Sequence, residues 1–370
     1  MLRAIYTEGV LLGRFLETKV AKLLYWYIDP KLKLLRLRGY DGQIEQVLRW
    51  NEPDEGGLYA LFVYYEPDGA VSDSVRRAVT SMRKADWNVV LLCNHPLSEE
   101  QQAFFSETCY VAVLRGNQGF DFGAYQDGVR WMDAEGIAPE RVLLLNDSVF
   151  FASHGLDEMF VRLKGPEDAI ATHENQSAEE HHHLQSFAVS VSAAVWKAAA
   201  FRRFWQEYRP INNRMHAIEA GEKRLSAAIR ASARSLTVIY GLGRLAEEMA
   251  NYTASLEEVS VRLPMPMRMP LLEAMKKDGR KAGASDIVTT IASTSPAHSG
   301  IWYLARFLNA PLFKKDLYYR QRFSLWELEL MVPKLMHSDE AAEYLSMIRR
   351  RGAPHGMQRA ARMRYNVGVG

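Results

Sequence analysis

Between residues 58 and 146 the chain alternates short apolar runs with amphipathic helical stretches, and this alternation restricts the folds open to it more than any other feature. LYALFVYY (58–65), NVVLLC (88–93), YVAVLR (110–115) and RVLLLN (141–146) have the length and residue types of strands. Between them lie VSDSVRRAVTSMRKA (71–85), LSEEQQAFF (97–105) and a stretch carrying Phe122, Tyr125, Val129 and Met132 at helical spacing. Continuously apolar strands must be covered on both faces, so the repeated βα units predict an α/β fold with a mainly parallel sheet. Further strands are predicted at QSFAVSV (185–191) and SLTVIYG (235–241), with one helix over 192–208 between them. Ligands of such sheets bind beyond the carboxyl ends of the strands, so polar residues at those ends carry the interest.

Composition removes several function classes. A chain of 370 residues with 48% hydrophobic content can bury a large core. A net charge of +2 with 24% charged residues argues against a dedicated nucleic-acid binder and against disorder. Cys93 and Cys109 lie in apolar runs, where reduced thiols pack as small hydrophobes, which fits a reducing, cytoplasmic compartment. The apolar run at the start is broken by Arg14 and Glu17, and no segment gives 18 uninterrupted apolar residues.

Three regions are expected: an N-terminal amphipathic and basic segment (1–56), the α/β domain (57–260) and a C-terminal linker and helical region (261–370). In the first, Leu12, Leu16, Val20, Leu23 and Tyr27 share one helical face, and seven Lys/Arg face two acidic residues between Arg14 and Arg38. That mix suits either a helix docked on the core or peripheral binding to an anionic membrane surface at the inner face of the cell membrane. RLPMPMRMPLLEAMKKDGRKAG, from about 261, reads as a linker or mobile loop, and the chain closes with an arginine-rich tail.

Two strand ends carry candidate chemistry. RVLLLNDSVFF brings Asn146, Asp147 and Ser148 out of a buried strand, where a carboxylate can hold Mg²⁺ or Mn²⁺ beside substrate phosphates or simply cap a turn. In LRGNQGFDFGAYQDG (114–128), Asn117, Gly119, Asp121 and Gly123 alternate along the exit of another strand. Glycines there admit a ligand to the backbone, and Asp or Asn side chains reach sugar hydroxyls; the alternative is a helix entry capped by Asp121. The spacing is neither G-x-G-x-x-G, nor a P-loop, nor a nucleophile elbow. Two polar junctions at adjacent strand ends favour a site. In HHHLQSF, successive residues of an extended chain face opposite sides, so His181, His182 and His183 cannot share one metal ion from a strand.

The motifs R-G-N-x-G-x-D-x-G-A-Y, V-L-L-L-N-D-S-V-F, H-L-Q-S-F, F-x-x-F-W (201–205), P-A-H (296–298) and P-L-F-K-K (311–315) together resemble the rhamnan synthesis F family of bacterial polysaccharide glycosyltransferases, over roughly residues 57–330. The resemblance implies a GT-A-like nucleotide-sugar-binding domain that serves O-antigen or rhamnan-type cell-surface polysaccharide synthesis. It implies transfer of L-rhamnose, with inversion, from a nucleotide-diphosphate donor such as dTDP-L-rhamnose to a lipid-linked glycan acceptor. Asn117, Gly119, Asp121, Asn146 and Ser148 would then bind the donor, Asp147 the metal or diphosphate, and His183, Gln185 and Ser186 the donor or acceptor sugar. The wider group carries Asp-x-Asp where this chain has Asn146-Asp147-Ser148, which leaves one carboxylate for a metal. An inverting transferase needs a general base, and in IEAGEKRLSAAI the choice falls on Glu222, after Gly221, over Glu219; a favourable charge at a helix start is the other reading of Glu222. The missing second carboxylate also sustains a different class of function, a catalytically idle glycan- or nucleotide-sugar-binding subunit of a polysaccharide assembly complex.

Overall fold

A computed structural model describes residues 40–176 and 182–353. The N-terminal amphipathic helix expected at 10–28, the basic stretch up to Arg38 and the tail beyond Ala353 lie outside the described residues, as does His181. Among the described residues no helix is long and apolar enough to cross a membrane.

Five strands alternate with three helices in the first half: β1 (Ile44–Arg49), β2 (Leu58–Tyr64), α1 (Asp73–Lys84), β3 (Asn88–Cys93), α2 (Glu99–Thr108), β4 (Val111–Arg115), α3 (Phe120–Ala134) and β5 (Arg141–Asn146). There follow β6 (Val149–Phe151), β7 (Ala169–Ala171), β8 (Glu174–Asn175), β9 (His183–Leu184), β10 (Ala188–Ser192), β11 (Leu236–Val238), β12 (Thr253–Ala254), β13 (Ala282–Gly283) and β14 (Leu312–Lys314). The central sheet has eight strands in the order β1-β4-β3-β2-β5-β10-β7-β11. Strands β4, β3, β2 and β5 run parallel, as do β7 and β11, whereas β1 and β10 are antiparallel to their neighbours. The fold is therefore mixed α/β with a mainly parallel sheet, consistent with a GT-A-like domain carrying helical additions.

Side-chain alternation divides the interior into two layers. Ala60, Phe62, Leu91, Leu143 and Leu145 face α1, whose Val75, Ala78, Val79 and Met82 are fully buried against them. Leu61, Val63, Val90, Leu92 and Leu144 face the side on which α3 places Phe122, Tyr125, Val129 and Met132. A capping box at Ser98, which accepts from the Gln101 N–H while the Gln101 side chain accepts from the Ser98 N–H, starts α2.

Two expectations need correction. The predicted helix over 192–208 is two helices, Ala193–Lys197 and Ala199–Glu207, because Ala198 is extended at φ −65° and ψ 139°. The expected linker after 261 is instead a helix, Met265–Asp278. Proline in a first turn is tolerated because that N–H has no helical partner, and the cost of Pro270 farther in is offset by tertiary packing. Arg268, nearly buried, donates to the Leu263 carbonyl and to the buried Glu327 carboxylate, which ties this helix down. The core layer facing α1 continues without a break into residues Ile239–Ile348, across the expected boundary at 260.

Candidate functional site

A cleft of about 550 Å³ opens beyond the carboxyl ends of the sheet strands and is walled on its far side by residues 295–351. Its polar floor is built from the two strand ends and the entry of α3. Gly119, the residue before α3, has φ +80° and donates its N–H to Asn212 Oδ1 at 2.6 Å; a Cβ there would stand 2.2 Å from Pro210 Cβ. Only glycine combines that backbone with that approach. Phe120 follows at φ +53°, and its ring stands partly exposed at the cleft. Asp121 thus falls inside the first turn of α3 rather than at its cap, and its Oδ2 accepts from Asn146 Nδ2 at 2.9 Å. Asn146 Oδ1 accepts in turn from the Ser148 N–H at 3.1 Å. Burial raises the Asp121 carboxyl above its ordinary range.

A second cluster comes from β9, the turn after it and the helix that follows Asn213. Here the backbone passes through one π-helical turn, Ala217–Glu222, before an α-helix over Lys223–Ser232. Gly221 lies where a Cβ would come within 2.9 Å of the Phe122 ring, so this turn can press on α3. The result aims Glu222 into the cleft. Its Oε1 accepts from the Ser186 N–H at 3.0 Å and the Ser186 hydroxyl at 3.1 Å, and its Oε2 lies 3.1 Å from His183 Nε2. Burial pushes the Glu222 carboxyl up, but the hydrogen bond and charge of His183 and the Ser186 N–H overcome it, so the group stays below the ordinary carboxylate range. Tyr125 on α3 donates to the Ser186 carbonyl at 3.1 Å and fixes the turn. Gln185 Oε1 accepts from Ser295 Oγ at 3.4 Å, and Ser295 contacts His298 Nδ1 at 3.1 Å, with His298 Nε2 3.1 Å from Asp316.

The structure thus gathers Asp121, Asn146, Ser148, His183, Gln185, Ser186 and Glu222 around one cavity. The remaining candidates stand apart from its lining. Asn117 is exposed and accepts from Asn94 Nδ2 at 3.2 Å. Gly119 packs on Pro210 as described. Asp147 clamps two strand ends, since its N–H donates to the Val63 carbonyl at 3.1 Å and its Oδ2 accepts from the Tyr65 N–H at 3.0 Å. Burial pushes the Asp147 carboxyl up to about 6, against the opposing charge of Lys315. Glu219 pairs with Lys223 at 2.8 Å, one turn away. His182 and His183 turn to different carboxylates, Glu174 and Glu222.

Sequence reasoning assigned no role to the cationic wall. Arg214, Lys314, Arg320, Arg322 and Arg351 line the cleft against three carboxylates, Asp121, Glu222 and Asp316. The motifs P-A-H and P-L-F-K-K contain His298 and Lys314, but nothing in their spacing says that residues so distant along the chain meet β5. Beside Asp147 the amide oxygen of Asn146 is engaged with Ser148, and the charges near the carboxylate are Lys315 together with the carboxylates of Glu66 and Asp121; among the described residues no group of three or more His, Cys, Asp or Glu could hold a metal ion.

The sheet order and a polar cleft at the strand ends are consistent with a GT-A-like α/β domain. Residues 89–276 match the family Rhamnan synthesis protein F, and the chain belongs to that family. Membership suggests a glycosyltransferase of polysaccharide synthesis. It is also similar to the uncharacterized protein y4gN of Sinorhizobium fredii (strain NBRC 101917 / NGR234), with 23% identity over 275 residues that cover 70% of each chain.

Proposed function

We propose that the chain transfers a sugar, L-rhamnose by its family, from a nucleotide-diphosphate donor to a lipid-linked glycan acceptor with inversion at the anomeric carbon. The observation that carries this reading is the convergence on one cleft of a hydrogen-bonded carboxylate (Glu222), the hydrogen-bonded pair Asp121 and Asn146, and a cationic wall. Asp121, Asn146 and Ser148 receive the donor, while His183, Gln185 and Ser186 face the sugar. Glu222 takes the proton of the acceptor hydroxyl as the new C–O bond forms, and the electron pair of the broken bond leaves with the nucleoside diphosphate. The hydrogen bonds of His183 and Ser186 orient the Glu222 carboxylate, and the Ser186 hydroxyl can rotate to yield one acceptor position to the incoming alcohol.

The test is release of nucleoside diphosphate from a panel of sugar nucleotides, dTDP-L-rhamnose among them, with and without a lipid-linked glycan. Acceptor-dependent release from one donor supports the reading. Tight donor binding with no release under any condition would instead support the idle binding subunit. The basic N-terminal segment and the arginine-rich tail support peripheral docking of this enzyme on an anionic membrane face, which salt-sensitive co-sedimentation with anionic liposomes would check.

A further inference from the structure

Of the five cations that line the cleft, Lys314 is carried by β14. This strand pairs antiparallel with β6, with Lys314 opposite Val149, and so lays Lys314 and Lys315 along the exit of β5. The Lys315 N–H donates to the Ser148 carbonyl at 3.4 Å, and Lys314 Nζ donates to Ser148 Oγ at 3.3 Å. The same Nζ stands 4.0 Å from the centroid of the Phe187 ring, so the ammonium is fixed from two sides. Burial pulls Lys314 below the ordinary lysine range, and the carboxylates of Asp316, Glu222 and Asp121 oppose that pull. Those three neighbours bracket the cavity, which puts the ammonium between the candidate base and the candidate donor-binding pair.

A transferase of this reaction class must balance negative charge that grows on the leaving diphosphate. A divalent cation held by carboxylates is one solution; a fixed lysine is another, since an ammonium is a compact point charge suited to phosphate oxygens. The ammonium of Lys314, held 3.3 Å from Ser148 Oγ at the end of β5, fits the second. We propose that Lys314, backed by Lys315, is the phosphate-binding cation of this cleft and that the diphosphate is held without a divalent metal. This rests on the reading of the cleft as a nucleotide-sugar site.

Isothermal titration of the full chain with dTDP, UDP and GDP, each in excess Mg²⁺ and in EDTA, tests both levels. The expected result is one preferred nucleotide whose affinity changes less than about twofold in EDTA and falls about tenfold or more in Lys314→Met, with recovery in Lys314→Arg. A smaller loss is expected for Lys315→Met. Unfolding midpoints on the same samples establish that each variant is folded, and if Lys314→Met is not, the EDTA comparison on the unaltered chain decides. Binding that requires Mg²⁺, or that ignores Lys314→Met in a folded protein, overturns the lysine proposal and leaves the donor site standing. Absence of binding by all three nucleotides in both conditions overturns the donor site itself.

Discussion

Two clusters of charged groups, one that includes Asp127 of α3 and one around Glu222, are built to opposite ends. Arg115 and Asp127 are fully buried and 2.7 Å apart. Arg115 also donates to Asn94 Oδ1 and the Gln118 carbonyl, both at 2.8 Å, and Asp127 accepts from the Tyr40 hydroxyl at 3.2 Å and the Gln43 N–H at 3.3 Å. All of these partners are protein groups, and neither side chain reaches the cleft. His183 and Glu222 are also mostly buried, at 4% and 16% side-chain exposure, but the carboxylate borders the open cavity. This buried network ties together β4, α3 and the segment before β1 through Asp127 Oδ2, while among the described residues Asp127 Oδ1 accepts no hydrogen bond. The Glu222 carboxylate, held by His183 and Ser186, instead lines the cleft.

That contrast is sharpest at Glu222. Replacement by Gln keeps the size and some hydrogen bonding but removes the proton acceptor, so transfer should fall about 10²- to 10⁴-fold. The unfolding midpoint should move little. Acceptor-dependent release of nucleoside diphosphate checks the first half, and denaturant unfolding the second. Unfolding of Glu222→Gln with normal turnover in the remaining folded fraction would make the two clusters alike.

Asp127→Ala should show the reverse pattern. Arg115 would be left buried without its carboxylate, and breaking such a pair costs about 3–5 kcal/mol. Urea titration should reveal the loss, while donor affinity of the folded fraction should persist because the cluster does not line the cavity. A folded Asp127→Ala protein of unchanged stability would mean that Asn94 and Gln118 suffice to hold Arg115.

Gly119→Ala probes the seam between the clusters. The added methyl meets Pro210 and requires a left-handed backbone of φ +80°, so a loss of about 1–3 kcal/mol is expected. Donor affinity should drop as well if the strain moves Asp121, two residues on. A stability loss with unchanged affinity would confine Gly119 to packing.

The legibility of these regions in the sequence follows the range of the interactions. NVVLLC and RVLLLN are strands over the bounds their apolar runs suggest, because each is buried on both faces and needs no distant information. The two polar junctions are readable for the same reason: strand ends in an α/β sheet carry polar residues where ligands gather. Glu222 can be singled out as a carboxylate after a glycine, but the π-helical turn that carries it packs Gly221 against the Phe122 ring, 99 positions away in sequence, which no local pattern shows. Lys314 has no role legible in its motif because only the pairing of β14 with β6 brings it to Ser148. The helix over Met265–Asp278 is hidden by its prolines, whose local preference is overridden by the buried contact of Arg268 with Glu327.

Asp147 is the third carboxylate to set beside these two clusters, and the smallest effect is expected from it. It is half-buried, it accepts from the Tyr65 N–H, and burial pushes it from an ordinary value near 3.8 up to about 6. The folded chain therefore binds this proton more tightly than the unfolded chain, and between these two values the native state carries more protons. Linkage then makes the Asp147 contribution to stability most favourable below about pH 4 and progressively lost as pH rises through 6. An asparagine in place of the acid is permanently neutral and can still accept from Tyr65, so Asp147→Asn should be more stable than the parent at pH 7.5, on the order of 1 kcal/mol. The difference should shrink as pH falls toward 4, where the acid is itself neutral. Paired denaturant titrations across that range give the answer. A variant less stable than its parent at neutral pH would mean that the ionised carboxylate holds the strand ends together through Lys315 and Tyr65, which would move Asp147 into the company of Asp127 rather than Glu222.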